Sequence, residues 1–411
     1  MPRRLKNSWA LKSRMRVLCL EDPEEVRSLM RFIGVDAYGI DIMARKALIR
    51  LVKIDALSNI AANILKQEML SLGGDAAIAR GSLTGQVKKT GCLLMGTPAQ
   101  LSRLIDKLKV QPFGLSALAL DLKRSLGNYE KKCFILKLGS HKLRLGRRTH
   151  IMGVVNLTPD SFSGDGLYRY GRCAGYIADQ VISMVRDGAD ILDIGGESSR
   201  PGARPVPEKE ELKRTIPVIK RLAKSVKVPL SIDTCKVEVA RQALDSGASM
   251  INDITGLRDP AMAKLAARYK CGVVIMHMKG KPRTMQENPQ YKSVVGEITD
   301  YLGTAIRNAF RSGISEDKMI IDPGIGFGKT TEHNLAILKN LKDLRVLGRP
   351  ILAGVSRKSF IGKILDEAPQ DRVHGSIAAA VSAALNGAHI IRAHDVKETR
   401  QALQITDAIE K

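Results

Sequence analysis

The stretch MIIDPGIGFGKTTEHNLAILKN, residues 319–340, decides how the larger part of this chain folds. It opens on a short apolar run, turns through an aspartate, a proline and three glycines, and continues with apolar residues at helical spacing. A strand, a Gly-rich turn and a helix in that order make one βα unit, and such turns also mark phosphate-binding loops. The phosphate-loop reading fails on spacing. A Gly-x-x-x-x-Gly-Lys-Ser/Thr motif closing on Gly328, Lys329 and Thr330 needs its first glycine at 323, where the chain has Pro323. The glycines then read as a tight strand-end turn that brings backbone close to a ligand, with Asp322 and Phe327 as its side-chain contributions.

The same unit repeats on both sides of this stretch, from residue 150 onward. Apolar strands are expected at 151–155 (IMGVV), 191–195 (ILDIG), 230–232 (LSI), 250–252 (MIN), 272–276 (GVVIM), 319–323 (MIIDP), 351–355 (ILAGV) and 389–393 (HIIRA). Amphipathic helical stretches such as CAGYIADQVISMVRDG and VHGSIAAAVSAALNGA separate them, several ending in Gly as helix C-termini often do. Eight strand–helix units in about 260 residues match a (β/α)8 TIM barrel. A doubly wound sheet is the runner-up, but no GxGxxG dinucleotide fingerprint accompanies the repeats.

Residues 1–145 read differently, as a smaller mixed α/β domain preceding a barrel domain at 146–411. DALSNIAANILKQEML, AQLSRLIDKL and ALALDLKRSL have helical spacing, AAIARG and CLLMG look like strands, and KLGSHKLRLGRR (137–148) is a linker or hairpin into the barrel. Apolar residues at 44% and charged residues at 26% exclude disordered and fibrous classes. No apolar run is long enough for a membrane span. The six scattered cysteines lack CxxC spacing, which argues for reduced thiols in a cytoplasmic protein and against a zinc site. The net charge is +24, and 28 of the 66 Lys and Arg fall in the first 150 residues against 12 of the 42 Asp and Glu. That excess reads as a solvated basic surface; without interleaved aromatics or a known motif, nucleic-acid binding is not expected.

In a barrel of this kind the active site lies at the C-terminal ends of the strands. Those positions hold Asn156; Asp193 with Glu197, Ser199 and Arg200; Asp233; Asn252 with Asp253; His277; Asp322; Ser356, Arg357 and Lys358; and Arg392 with His394. Asp193 and Asp253 also read as helix caps or loop ties. Asp233, Asn252, Asp322 and Lys358 mix acceptors, an amide and a cation, which suits a flat heterocycle such as a pterin or a purine. Arg200, Arg392 and His394 suit an anion such as phosphate.

Taken in order, NLTPDSFSGDG, DIGGESSRPGA, SIDTCK, INDITG, MHMKGKPRTMQENPQY, DPGIGFGK, GVSRKSFIG and HGSIAAAVSAALNGAHIIRAHDV resemble the successive signatures of the dihydropteroate synthase family, over about residues 147–410. The resemblance implies an enzyme of folate synthesis that joins 4-aminobenzoate to (7,8-dihydropterin-6-yl)methyl diphosphate. It implies a homodimer and Mg²⁺ bound at Asn156. It gives Asp233, Asn252, Asp322, Lys358 and Arg392 to the pterin, and Asn156, Ser199, Arg200, Arg392 and His394 to the diphosphate. Phe162, Pro201, Phe327 and Ser356, with Lys358, would bound the aminobenzoate pocket, and Asp160 and Ser199 would order over the site; with Arg200 and Lys358 these two form the expected catalytic set. Two departures stand out: SFSGDG replaces the more usual SFSDGG, displacing Asp165 by one position, and Ser199 stands where Thr is common. A corrinoid-dependent pterin methyltransferase shares such a cradle, but it has no diphosphate for Arg200, Arg392 and His394 to hold. A non-catalytic scaffold is the other alternative, and polar groups at every strand end weigh against it.

Overall fold

The computed structural model describes residues 15–158, 174–198, 203–280, 282 and 284–410. The chain forms two compact units, residues 1–124 and 125–411. The hairpin region expected in the first domain therefore lies in the second unit.

In the first unit the elements are α1 (Pro23–Ile33), α2 (Ala37–Ala44), β1 (Arg50–Ser58), α3 (Asn59–Ser71), β2 (Asp75–Ile78), α4 (Arg80–Leu83), β3 (Lys89–Gly96) and α5 (Pro98–Leu108), and α6 (Leu115–Glu130) runs on into the second unit. The three strands pair antiparallel in the order β1-β3-β2. The helix expected over Asp55–Leu70 starts only at Asn59, because Arg50–Ser58 alternates as a strand with a bulge between Ile54 and Leu57, where Ala56 takes a φ of 59°. Ser58 then accepts from the Ala61 amide and caps α3.

In the second unit a hairpin of β4 (Phe134–Leu138) and β5 (His141–Leu145) precedes the barrel strands β6 (His150–Asn156), β7 (Ile191–Gly195), β8 (Leu230–Asp233), β9 (Met250–Asp253), β10 (Gly272–Met276), β11 (Met319–Asp322), β12 (Leu352–Gly354) and β13 (Ile390–Ala393). Between and after them run α7 (Ala174–Arg186), α8 (Glu208–Ser225), α9 (Val237–Asp245), α10 (Pro260–Tyr269), α11 (Val294–Arg311), α12 (Thr331–Lys339), α13 (Ser359–Leu365), α14 (Val373–Leu385) and α15 (Val396–Ile409). All eight strands expected from the sequence are present and parallel, in the order β11-β10-β9-β8-β7-β6-β13-β12. The circle closes between β11 and β12 through a single bridge, Ile321 to Ile351, backed by the Ile321 amide on the Pro350 carbonyl at 3.0 Å. A parallel barrel buries both faces of its strands, which is why they read as continuous apolar runs.

One core lies between strands and helices, built from residues such as Ile194, Ile232, Ile251, Ile275 and Ile321. A second fills the barrel's inside. There Met152, Ile191, Met250, Val274, Ile320, Leu352 and Ile390 meet Phe134, Leu136, Leu138 and Leu145, so the hairpin closes the N-terminal end. A cavity of about 470 Å³ near that end is lined by Arg148, Asp190 and Arg400 among others. Both arginines there are bound to Asp190, at 2.5 and 2.6 Å, which marks a structural ion cluster rather than a ligand site.

The barrel mouth as candidate active site

Burial of the strands leaves the residues at their C-terminal ends to converge on the mouth. Asp193 on β7, fully buried, accepts from Asn252 Nδ2 of β9 at 2.8 Å and from Arg392 Nε of β13 at 2.7 Å. Arg392 donates through Nη2 to Asp233 of β8, also at 2.7 Å. Three residues expected to hold the pterin, Asp233, Asn252 and Arg392, are thus joined through a fourth. Burial pushes the Asp233 carboxyl well above the usual carboxylate range, and the Arg392 charge only partly offsets this. Arg392 itself is kept firmly protonated, because its two carboxylates outweigh its burial. Asp253, by contrast, is a loop tie: its carboxylate takes the amides of Thr255 and Leu257 at 2.8 and 3.0 Å.

The next sector belongs to the turn after β11. Burial raises the Asp322 carboxyl above its ordinary range, while Oδ1 accepts from the Gly324 amide at 2.7 Å. Gly324 has a φ of 68°, and a Cβ there would fall 1.9 Å from the His277 carbonyl oxygen; no other residue fits. The turn presents Phe327, whose ring lies 4.3 Å from the Lys358 ammonium in a cation–π contact. Lys358 also offsets part of the burial penalty on Asp322. Asp322, Phe327 and Lys358, the first and last expected at the pterin and Phe327 and Lys358 at the aminobenzoate, therefore form one wall.

The turn after β12 is clasped to the turn after β13. Arg357, at a φ of 57°, binds both oxygens of Asp395 at 2.6 and 3.1 Å. Ser356 Oγ accepts from the His394 amide at 3.2 Å and lies 3.0 Å from His394 Nδ1. The residue expected at the aminobenzoate carboxylate and the one expected at the diphosphate are therefore neighbours. Asn156 ends β6, half-buried and in register with Gly195. His277 faces inward beneath the β11 turn, where burial and the charge of Lys329 push its pKa down to about 3. Glu197, after β7, shares the Lys236 ammonium with the buried Glu211. Burial opposes that ammonium, yet the two glutamates hold its pKa above the usual lysine value.

Asp160, Phe162, Asp165, Ser199, Arg200 and Pro201 lie outside the described residues. Sequence reasoning gave no role to Lys329, Asn334 or Asp395, each of which holds a mouth turn in place. The available signal was a single lysine in the otherwise uncharged run 323–331.

The family profile of the pterin binding enzymes matches residues 152–394. A dihydropteroate synthase of Synechocystis is 45% identical over 276 residues, covering 67% of this chain and 94% of its own length. A crystal structure of the Xanthomonas albilineans dihydropteroate synthase with 4-aminobenzoic acid superposes with a TM-score of 0.62 at 43% identity, over 68% of this chain and 98% of that one. A Halobacterium salinarum protein named a probable bifunctional folylpolyglutamate synthase/dihydropteroate synthase matches 94% of this chain at 38% identity, using 46% of its own length. That match runs well into the first unit, so the region before the barrel has a counterpart there. A mouth that gathers aspartates, an asparagine and a lysine on the scaffold these proteins share places the chain in the dihydropteroate synthase family of pterin-binding enzymes.

Proposed function

We propose that the mouth condenses (7,8-dihydropterin-6-yl)methyl diphosphate with 4-aminobenzoate, giving 7,8-dihydropteroate and diphosphate. The observation that carries this is the set Asp233, Asn252 and Asp322 at the ends of three strands, the last two buried and Asp233 nearly so, with Lys358 and Phe327 at its edge. Carboxylates whose pKa is raised by burial gain most from a ligand edge rich in N–H donors, which the aminopyrimidine side of a pterin provides. Asn252 adds both an acceptor and donors at that edge.

The chemistry asks little covalent work of the protein. The methylene–oxygen bond breaks as the electron-rich dihydropterin supports positive charge at the methylene, the arylamine nitrogen attacks there, and its proton leaves. The chain's part is to hold the ring, receive the departing charge and align the amine. Arg392, already fixed by two carboxylates, and His394, beside Ser356, supply donors on the β13 side. Lys358 and Phe327 form the boundary between pterin and aminobenzoate, so both substrates meet at one wall.

Among the described residues no group of three or more His, Cys, Asp or Glu side chains is placed to hold a metal ion. The amide oxygen of Asn156 at the rim fits Mg²⁺ nonetheless, because that ion takes one or two protein oxygens and completes its shell with phosphate oxygens and water. Bound there with the diphosphate, Mg²⁺ would neutralise charge on the leaving group. In the same reading the protein works as a homodimer in the cytoplasm; Cys19, Cys92, Cys133, Cys235 and Cys271 are free thiols, in keeping with a reducing compartment. Purified protein with Mg²⁺ and both substrates should form dihydropteroate, measured by chromatography. Lys358→Ala and Asp322→Asn should each remove most of that rate, and full turnover in both variants would sink the site assignment.

A further inference from the structure

The Gly-Lys-Thr triplet that fails as a phosphate loop leaves a question about its lysine. Lys329 is 3% exposed, and a buried ammonium is costly unless its hydrogens are taken up. Among the described residues no carboxylate lies within ion-pair distance of it. It has a ring of neutral acceptors instead. Nζ donates to the Gly324 carbonyl at 2.8 Å and to the Phe327 carbonyl at 2.9 Å, with His277 Nδ1 at 3.0 Å and the His277 carbonyl at 3.4 Å. Burial pulls the Lys329 pKa down to about 7, against the pull of the Asp322 charge; in its ammonium form it has no lone pair, so His277 Nδ1 then accepts and the ring proton sits on Nε2.

These contacts reach the pterin wall directly. Gly324 donates its N–H, in the peptide from Pro323, to Asp322 Oδ1, and its carbonyl, in the next peptide, accepts from Lys329, so the two amides flanking this residue are fixed by a carboxylate and an ammonium. The Phe327 carbonyl ties the far end of the turn to the same nitrogen. Side chains from outside the turn complete the frame: Asn334 Oδ1 accepts from the Gly326 amide at 2.8 Å, and Tyr291 donates to the Gly328 carbonyl at 2.8 Å. Of these groups only Lys329 bonds both Gly324, whose amide is on Asp322, and Phe327 itself.

We propose that Lys329 is a positioning residue for the pterin pocket, its ammonium holding residues 322–328 in the one shape that presents Asp322 and Phe327 together. It acts through the carbonyls of the turn and does not touch substrate. The proposal rests on the reading of the mouth as a pterin site and deepens it.

The test uses the full chain with Lys329→Met, Lys329→Gln and Lys329→Arg, which carry no donor, a neutral donor and a charged donor. Two quantities are read: amide hydrogen exchange of residues 322–330 without substrate, and kcat and KM for both substrates. Loss of charge-assisted hydrogen bonds should speed exchange of the turn and raise the KM for the pterin substrate by about tenfold or more in K329M, with a smaller fall in kcat. K329R should recover part of both, and K329Q less. Unchanged exchange and a KM within twofold of wild type in K329M would overturn the proposal; so would equal losses in K329Q and K329R, which would point to side-chain shape instead. Should K329M fail to fold, the K329Q and K329R pair decides alone. A wild-type chain that makes no dihydropteroate, while its variants still loosen the turn, would refute the pterin reading and leave the bracing role standing.

Discussion

Asp193 accepts from Asn252 and from Arg392 through the same oxygen, Oδ2, while its Oδ1 has no partner among the described side chains. Its carboxylate therefore sets the angle at which two of the groups proposed to hold the pterin enter the mouth. Asparagine at this position keeps the volume but brings an N–H₂ group toward donors and leaves Arg392 with one carboxylate. Asp193→Asn should lower kcat/KM for the pterin substrate by about tenfold or more. A steady-state assay showing a value within twofold of wild type would refute the hub. The sequence placed Asp193 at a strand end yet read it as a cap or tie, because both roles put an aspartate after an apolar run. What separates them is the partners, 59 and 199 residues away, and no local pattern carries that distance. Asp253 has the same local pattern and is indeed a tie, bonded two and four residues on.

The hairpin β4–β5 belongs to the barrel by packing and precedes it by chain order. Phe134, Leu136, Leu138 and Leu145 are all under 9% exposed and close the inner core. Each such side chain contributes roughly 1.5–3 kcal/mol when buried, so the four together rival the 5–15 kcal/mol stability of a typical domain. A chain beginning at Ser125 should fold and form dihydropteroate, whereas one beginning at Arg147 should lose its cooperative thermal transition. Equal melting temperatures for the two would remove the hairpin from the barrel's core. KLGSHKLRLGRR (137–148) was visible as a hairpin or a linker, but the first strand begins earlier, at Phe134. Its destination, the open end of a barrel whose strands come later, is set by tertiary packing. The bulge in β1 escaped for a related reason: Asp55–Ser58 falls between strand and helical spacing, and pairing with β3 settles the matter.

Across the whole molecule, buried histidines tie stability to pH. His277 is held at about 3 and His389 at about 4, both mainly by burial, and His150 is lowered for the same reason. Each stays neutral in the fold while the unfolded chain takes up its proton below about 6.5, so their contribution is complete above that pH and is lost as pH falls. His389 accepts from the Ile351 amide and faces the Lys132 carbonyl, each at 3.2 Å, beside the ring of Phe134. Against His389→Gln, the wild type should lose about 1.4 kcal/mol per pH unit between 6.5 and about 4. Urea unfolding at a series of pH values measures this, and a difference that does not vary with pH would refute it. The eight strands and the polar residues at their ends were legible because a parallel barrel writes them as repeats. The closure was not. Neighbouring strands share ladders of three to five paired residues, but among the described residues β11 and β12 are bridged at Ile321–Ile351 alone. Asp322 stands on one lip of that gap, and Lys358 follows the strand that forms the other. If the proposed pterin site is right, a ligand held by both would span the thinnest part of the circumference and act as the rungs the backbone leaves out. In the proposed reading the substrate therefore closes the barrel as well as filling it.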